Sequence, residues 1–353
     1  MPSRRLLKRL SGRYGELSKA KKLIIPFYVS HRGCPERCVF CDQKRISGSG
    51  GALPERDDIK KTIIEYLASW KGEGAREVAF YGGSFTALAR ETQVNLLEPV
   101  SPFIEKGDIH AVRVSTRPDC IDEETVLLLK KHHVSIVELG VQSMDDTVLR
   151  LSGRGHSAND TISAARLLKD SGISLGCQLM PGLPGDSREK SLESARIIAG
   201  IMPDSVRIYP TVVIKGTELE KSYLRGEFMP LGLDEAVALS SDMVELFRAK
   251  DIHVIRVGLQ AESSLEESCI AGPYHPAFGE MVESAIFKKK AKKFLSQLTG
   301  TKNTVSFRIF PGDESAFRGQ KNMNIKGLRD EFPHINFDIR KDGHLEKGSL
   351  YMN

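Results

Sequence analysis

The sequence predicts an α/β fold, a partial (βα)6-type TIM-like barrel followed by a small C-terminal α+β module. From about residue 23 onward, short runs rich in β-branched residues alternate with longer amphipathic segments. Repeated βα units of roughly 30–40 residues imply a parallel sheet with right-handed crossovers. Near residue 300 the pattern changes to alternating apolar and polar residues around one short helical segment, which is typical of short antiparallel strands.

Seven strands and five helices are predicted in the barrel. The strand candidates are Leu23–Val29, Glu77–Tyr81, Ala111–Ser115, Ser135–Val141, Ser174–Met180, Ser205–Tyr209 and Ile252–Val257. The helical patterns are Asp57–Trp70, Asp122–His132, Asp160–Lys169, Lys190–Gly200 and Asp234–Lys250. In the third helix, the apolar residues near one face are Ile162, Ala165, Leu167 and Leu168, and Gly172 marks its end.

We divide the chain into three parts. Residues 1–22 form a basic N-terminal extension with eight Lys or Arg against the single Glu16. Residues 23–290 form the barrel domain, and residues 291–353 form the C-terminal module, preceded by a basic run at Lys288–Lys293 that predicts a helix or linker. Two basic clusters suit a polyanionic partner such as RNA, and solvated basic segments without a ligand are the alternative.

The composition is that of a soluble globular protein. The 353 residues are 40% apolar and 27% charged, with a formal net charge of +5. No apolar run approaches the roughly 18–20 residues that a membrane span needs, so no membrane partner is expected. The N-terminus lacks the apolar segment of a secretory signal, and a cytoplasmic location is predicted.

Three cysteines lie close together after the first predicted strand. Cys34, Cys38 and Cys41 have the spacing C-x3-C-x2-C. Three thiolates can hold three irons of a [4Fe–4S] cluster and leave the fourth iron open for a small molecule. A Cys3His zinc site that includes His31 is the alternative. The other cysteines are scattered singly and predict buried small side chains: Cys120, Cys177 and Cys269.

Polar and Gly-rich segments recur after the other predicted strands. They are Gly82-Gly83-Ser84, Thr116-Arg117, Gln142-Ser143, and Gln178 followed by Pro181-Gly182-Leu183-Pro184-Gly185. Active-site groups of βα barrels lie at the carboxyl ends of the strands. We therefore expect these segments to lie near the cysteine loop.

The cysteine motif, with Phe40 beside Cys41, resembles the signature of the radical S-adenosylmethionine (SAM) superfamily. The resemblance implies a radical SAM barrel with two cofactors, a [4Fe–4S] cluster held by Cys34, Cys38 and Cys41, and SAM chelated by the open iron. Reductive cleavage of SAM would then yield a 5′-deoxyadenosyl radical that takes a hydrogen atom from the substrate.

The same resemblance implies the residues that contact SAM. Tyr81-Gly82-Gly83-Ser84-Phe85 resembles the glycine-rich motif that approaches the methionine amine. Gly140-Val141-Gln142-Ser143 and Arg154-Gly155-His156 resemble a region of the oxygen-independent coproporphyrinogen dehydrogenases that reaches the ribose and carboxylate. The implied cofactor contacts are Gly82, Gly83, Ser84, Thr116, Gln142, Arg154 and Gln178. For Arg154 a surface arginine is the alternative.

A narrower resemblance is to the radical SAM core of the Elongator catalytic subunit. It rests on Phe80–Thr86, Ser115–Asp119 and the unusual segment Arg207–Thr217. This family acts on the wobble uridine of tRNA, which implies that Lys215, Tyr209 and Arg117 face the substrate or SAM. A lysine on a loop is the alternative for Lys215. The cysteine spacing departs from that family's longer one, and the residues after the barrel are too few for an acetyltransferase domain.

The sequence therefore supports a radical SAM enzyme that acts on a tRNA base. A radical SAM enzyme acting on a porphyrin-like substrate, and a non-catalytic iron–sulfur or zinc RNA-binding protein, are the alternatives. A low-potential ferredoxin or flavodoxin is the expected electron donor. The sequence does not determine the product, the use of acetyl-CoA or the oligomeric state.

Overall fold

The computed structural model describes residues 22–29, 38–42, 53–260, 263–298 and 304–353. Most of the predicted basic extension, as well as His31 and Cys34, lies outside these residues.

The described residues form twelve strands. They are β1 (Leu23–Tyr28), β2 (Arg76–Tyr81), β3 (Ala111–Thr116), β4 (Val134–Gln142), β5 (Ser174–Leu179), β6 (Ser205–Ile208), β7 (Val213–Ile214), β8 (His253–Val257), β9 (Cys269–Ala271), β10 (Thr304–Ile309), β11 (Asn336–Lys341) and β12 (Leu350–Met352).

The α-helices of the described residues are α1 (Arg56–Ser69), α2 (Arg90–Leu97), α3 (Ser101–Glu105), α4 (Glu123–Lys131), α5 (Asp146–Leu151), α6 (Ala158–Ser171), α7 (Arg188–Ile201), α8 (Glu218–Leu224), α9 (Leu233–Arg248), α10 (Ser263–Ser268), α11 (Phe278–Ser296), α12 (Glu314–Arg318) and α13 (Met323–Glu331). Short 3-10 turns lie at Phe85–Ala87, Glu98–Val100, Pro118–Cys120, Pro311–Asp313 and Gln320–Asn322. None of these helices combines the length and the apolar composition that a membrane span requires.

Seven parallel strands form one curled sheet in the order β1-β2-β3-β4-β5-β6-β8. The predicted partial barrel is confirmed, with at least one helix after each of the first six strands and a seventh strand after them. Every predicted strand is present, and each end differs from the prediction by at most one residue. The strands could be predicted from their apolar segments because strands of a parallel sheet are covered by helices and are rich in branched apolar residues.

One face of this sheet packs against the helices. Val112 and Val114 of β3 and Val137 and Leu139 of β4 are fully buried in that core. Because successive side chains of a strand point to opposite faces, the residues between them point to the concave face, which we call the lumen.

The end of helix α6 was predicted correctly, whereas one residue of its buried face was not. Its first turn is fixed by a capping box between Ser157 and Asp160, and Gly172 ends it with a φ of 78°. Its buried stripe consists of Thr161, Ala164, Ala165 and Leu168. The assignment of Ile162 to this face is wrong, because Ile162 lies one residue away from the i, i+3, i+4, i+7 stripe and is 45% exposed.

The C-terminal sheet has the order β11-β10-β12. Strand β10 is antiparallel to β12 but parallel to β11. The expectation of antiparallel strands throughout is therefore wrong for β10 and β11. Parallel neighbours need a long crossover connection, and the segment between them supplies one that contains α12 and α13.

Helix α11 contains the basic run and contributes to two hydrophobic cores. Phe278, Val282 and Ile286 pack into the barrel core, whereas Phe287, Ala291 and Leu295 pack into the core of the C-terminal module. Each set repeats every four residues, and the second set is shifted by one residue to an adjacent face of the helix. The predicted boundary between residues 290 and 291 falls inside this helix, and the division into domains stays a prediction.

Several lysines of the basic run have partners inside the protein. Lys289 forms ion pairs with Asp242 and Glu245, and Lys290 donates to the carbonyl of Gly348 at 2.8 Å. Lys292 pairs with Glu331. These three lysines therefore help to attach α11 to its neighbours.

Candidate functional site

The second half of the cysteine loop lies at the carboxyl end of the sheet. The Cys41 N–H donates to the Cys38 carbonyl at 3.0 Å, so the two cysteines share one turn. The Val39 N–H donates to the Ser152 carbonyl at 3.0 Å, and the Val39 carbonyl accepts from the Leu219 N–H at 2.8 Å. The turn is thus held by the segments that follow β4 and β7.

This turn has the donor chemistry of an iron–sulfur site. Cys38 and Cys41 are both free thiols, and Cys38 is only 7% exposed. The Cys38 sulfur accepts a hydrogen bond from Arg154 Nη1 at 3.4 Å. No group of three potential metal ligands occurs within the described residues, and Cys34, the predicted third ligand, lies outside them.

The glycine-rich segment after β2 forms a turn that needs glycine. Gly82 and Gly83 have φ values of 76° and 57°, in the left-handed region. Ser84 Oγ and Thr116 Oγ1 share a hydrogen bond of 2.9 Å, and Ser84 Oγ also accepts from the Arg117 N–H at 3.2 Å. Ser84 and Thr116 are both buried, so their hydroxyls hold the glycine turn against the end of β3. Their assignment as SAM contacts stays a prediction.

A bulge at the end of β4 presents Gln142. The pairing of β4 with β5 shifts register between Gly140 and Gln142, and Gln142 has a φ of 65°, which is rare for a residue other than glycine. Gln178 Nε2 donates to Gln142 Oε1 at 3.1 Å. The two predicted glutamines are thus in direct contact.

The space above Gly140 is bordered by several of the predicted cofactor residues. A Cβ placed on Gly140 would lie 3.0 Å from Gln142 Nε2, 3.5 Å from Arg154 Nη2 and 3.6 Å from the Thr116 carbonyl oxygen. Arg154 Nη2 donates to the Gly140 carbonyl at 2.6 Å. Arg154 Nε is buried and has no hydrogen-bond partner among the described residues.

These features fit SAM bound beside the cysteine turn. A buried N–H without an acceptor is costly, and a carboxylate is the kind of acceptor that a guanidinium binds best. Gln142, Gln178 and Arg154 would hold the ribose and carboxylate ends of the molecule. When a [4Fe–4S] cluster and SAM are bound, they supply a hydrogen-abstracting radical.

Deeper in the lumen lies a charged network that sequence reasoning missed. Arg113 of β3 donates to Glu77 of β2 at 2.6 Å and to Glu138 of β4 at 2.5 Å. Arg207 of β6 also donates to Glu138, at 2.9 Å. Glu138 reaches β6 across Gly176 of β5, where a Cβ would lie 3.0 Å from Glu138 Cγ. The available signal was a charged residue in each of four mostly apolar predicted strands: Glu77, Arg113, Glu138 and Arg207.

The network connects to two tyrosines near the carboxyl end of the sheet. The guanidinium of Arg207 lies 5.9 Å from the ring centroid of Tyr81 and donates to the Tyr209 hydroxyl at 3.0 Å. Burial, followed by the charge of Glu138, raises the pKa of Tyr81 to about 12. Tyr81 is therefore a neutral phenol at physiological pH.

The three predicted catalytic residues have different surroundings. Tyr209 is half-buried beside Arg207. Arg117 is buried, and its guanidinium forms two hydrogen bonds to the carboxylate of Asp119, at 2.9 and 2.7 Å. Lys215 follows β7 and is exposed. Their catalytic roles stay predictions.

His156 anchors the β4 bulge and gives a testable pH dependence. It is 4% exposed, and its Nε2–H donates to the Val141 carbonyl at 3.2 Å. Burial, followed by the charge of Arg154, lowers its pKa to about 4. As the pH falls below about 6.5, the unfolded chain takes up a proton that the folded chain does not, so the folded state loses stability until about pH 4.

When the pH is lowered from 7.5 to 4.5, the wild type should therefore lose on the order of 2 kcal/mol more of its free energy of unfolding than His156→Gln loses. Urea unfolding at the two pH values measures this difference. The control is His344→Gln, at an exposed position. Equal pH dependence of the His156 variant and the wild type would contradict the assignment of a buried neutral imidazole.

Two family models and several known proteins are similar in sequence to this chain. A model of the radical SAM superfamily matches residues 28–198, and a model of the radical SAM C-terminal domain matches residues 203–288. An uncharacterised protein of Methanocaldococcus jannaschii is 30% identical over 224 residues, which cover 60% of this chain and 68% of the relative.

The chain is also similar to a curated protein and to a solved structure from Methanocaldococcus infernus. The tRNA uridine(34) acetyltransferase of Methanocaldococcus infernus is 45% identical over 134 residues, which are 37% of this chain and 25% of that protein. The solved structure of the archaeal M. infernus Elp3 with an N-terminal deletion has a TM-score of 0.61 and 27% identity, and the match covers 76% of this chain and 63% of that one. The chain thus spans about a quarter of the acetyltransferase and under two thirds of the solved Elp3.

The predicted superfamily resemblance, its cofactors and its enzymatic class are confirmed. These comparisons favour a radical SAM enzyme over the alternative of a non-catalytic iron–sulfur or zinc RNA-binding protein. The seven-stranded half-barrel, the cysteine turn at its carboxyl end and both matching family models show that this chain belongs to the radical SAM superfamily.

Proposed function

We propose that this radical SAM enzyme modifies a uridine base of tRNA in a reaction that begins with hydrogen abstraction. The observation that carries the proposal is the 45% identity over 134 residues to a tRNA uridine(34) acetyltransferase. That stretch is a quarter of the relative, so the proposal concerns the radical step and leaves acetyl transfer aside.

The residues at the carboxyl end of the sheet support a base-sized substrate. Tyr209 offers a phenol whose oxygen already accepts from Arg207, so its own O–H is directed to another acceptor, such as a base carbonyl. Exposed Lys215 is suited to a phosphate. The basic segment 1–22 would add further phosphate contacts. It is a better candidate for them than the second basic run, since several lysines of that run already have partners within the protein.

The proposal is tested by mass spectrometry of tRNA nucleosides from cells with and without the gene. We expect one modified uridine to be missing in the deletion strain and restored by the wild-type gene. A gene encoding Cys38→Ala is the matched control and should not restore it. The purified, anaerobically reconstituted enzyme should then produce the same nucleoside from deletion-strain tRNA with SAM and dithionite.

Other outcomes decide against the proposal. Unchanged tRNA nucleosides together with accumulation of a coproporphyrinogen in the deletion strain would establish the porphyrin alternative. Unchanged nucleosides without that accumulation, in cells that make the protein, would also overturn the tRNA assignment.

Binding of tRNA should weaken steeply with salt if the basic segments contact phosphates.

A further inference from the structure

Arg154 joins the cysteine turn to the bulge of β4. Its Nη1 donates to the sulfur of Cys38 at 3.4 Å and its Nη2 donates to the carbonyl of Gly140 at 2.6 Å. The backbone of the same segment holds the same turn, since the Ser152 carbonyl accepts from the Val39 N–H at 3.0 Å. The guanidinium is therefore fixed at both ends.

Two constraints favour this orientation of the Arg154 side chain. The Arg154 N–H donates to the Leu149 carbonyl at 2.9 Å, which ties the backbone to the end of α5. Gly140 lacks a Cβ, and a Cβ there would lie 3.5 Å from Arg154 Nη2 and only 3.0 Å from Gln142 Nε2. The glycine thus keeps open the space that the Arg154 guanidinium and the Gln142 amide both border.

A charged N–H donor on a cluster sulfur has a defined electrostatic consequence. Each electron added to an iron–sulfur cluster makes it more negative, and hydrogen bonds to its sulfurs and nearby charge are among the factors that set its reduction potential. A fixed positive charge on a ligand sulfur stabilises the reduced form more than the oxidised form. The potential therefore rises, and a one-electron donor reduces the cluster more readily.

We propose that Arg154 is a positioning residue that raises the reduction potential of the cluster through its hydrogen bond to Cys38. This role is separate from the contact with SAM that the sequence predicts for Arg154. The orphan Nε remains suited to the SAM carboxylate, so one guanidinium would serve the cluster through one nitrogen and SAM through another. The inference rests on membership of the radical SAM superfamily and not on the identity of the substrate.

The test is a potentiometric titration of the reconstituted full-length protein, followed by electron paramagnetic resonance, without SAM. We expect Arg154→Met to lower the reduced-to-oxidised ratio at a fixed potential about tenfold, which for one electron is a shift of about 59 mV to more negative values. Arg154→Lys keeps the charge but not the planar fork, and its shift should be smaller. The control is Arg150→Met, at an exposed position four residues earlier.

Iron content and the thermal melting curve establish that each variant holds the cluster and is folded. A midpoint unchanged in Arg154→Met with a full cluster would overturn the proposal, and loss of SAM affinity alone would assign Arg154 to SAM only. If Arg154→Met cannot hold the cluster, Arg154→Gln, which removes the charge but keeps a polar side chain, decides: an unchanged midpoint overturns the proposal, and a negative shift supports it. None of these outcomes depends on whether tRNA is the substrate.

Discussion

Cys38→Ala is expected to reduce the reductive cleavage of SAM by more than about a hundredfold. Loss of a group that merely supports a metal ligand already costs about 10–100-fold in metal affinity or activity, and this change removes a predicted ligand itself. The backbone of the turn should stay in place, because Val39 is held on both sides by hydrogen bonds of 3.0 and 2.8 Å that do not involve the thiol. The measurements are iron content and 5′-deoxyadenosine formation with dithionite.

The matched control is Cys177→Ala. Cys177 is 2% exposed and lies on the helix-facing side of β5, within the barrel core. Its loss should cost stability on the order of 1 kcal/mol and leave the iron content unchanged. SAM cleavage by Cys38→Ala at the wild-type rate would show that Cys38 is not a cluster ligand.

Glu138→Gln is expected to lower the free energy of unfolding by about 3–5 kcal/mol, the usual cost of removing one partner of a buried ion pair. Glu138 Oε1 accepts from Arg113 at 2.5 Å and from Arg207 at 2.9 Å, and all three side chains are largely buried. The substitution preserves volume but leaves two guanidinium groups against the single carboxylate of Glu77. Urea unfolding at pH 7 measures the loss.

Glu193→Gln is the control for the removal of a carboxylate charge. Glu193 pairs with Arg196 one helical turn away, and both side chains are more than half exposed. Its loss should cost no more than about 0.5 kcal/mol. A cost below about 1 kcal/mol for Glu138→Gln would mean that water reaches the network and screens it. The lumen beneath the candidate site would then be accessible to water.

The positions of the barrel strands along the chain could be predicted because helices cover one face of the sheet. Fully buried residues such as Val112 and Val137 produce apolar runs that are visible without any tertiary information. The cysteine turn and the segments around Gly82 and Gln142 were located by the same reasoning, since they lie at or directly after the ends of those runs, and Gln178 lies near the end of its own run.

The contacts of individual polar side chains could not be predicted in the same way. The hydroxyl of Thr116, a predicted SAM contact, meets that of Ser84 in a buried pair, which joins the end of β3 to the turn after β2, 32 residues earlier. The antiparallel pair of β7 and β9 has strands of two and three residues, too short for any alternation to show. The parallel pairing of β10 and β11 depends on where a helical connection returns the chain.

The sequence by itself determined the superfamily resemblance and the edge of the sheet where Cys38 and Cys41 lie, because these follow from motif spacing and from periodic burial. The role of the two cysteines as cluster ligands stays a prediction. The tertiary structure alone decided which charges meet in the lumen and that Arg154 reaches the sulfur of Cys38. Strand periodicity fixes the face on which a side chain lies, but its partner depends on the register and curvature of neighbouring strands. Those in turn follow from the packing of the whole chain.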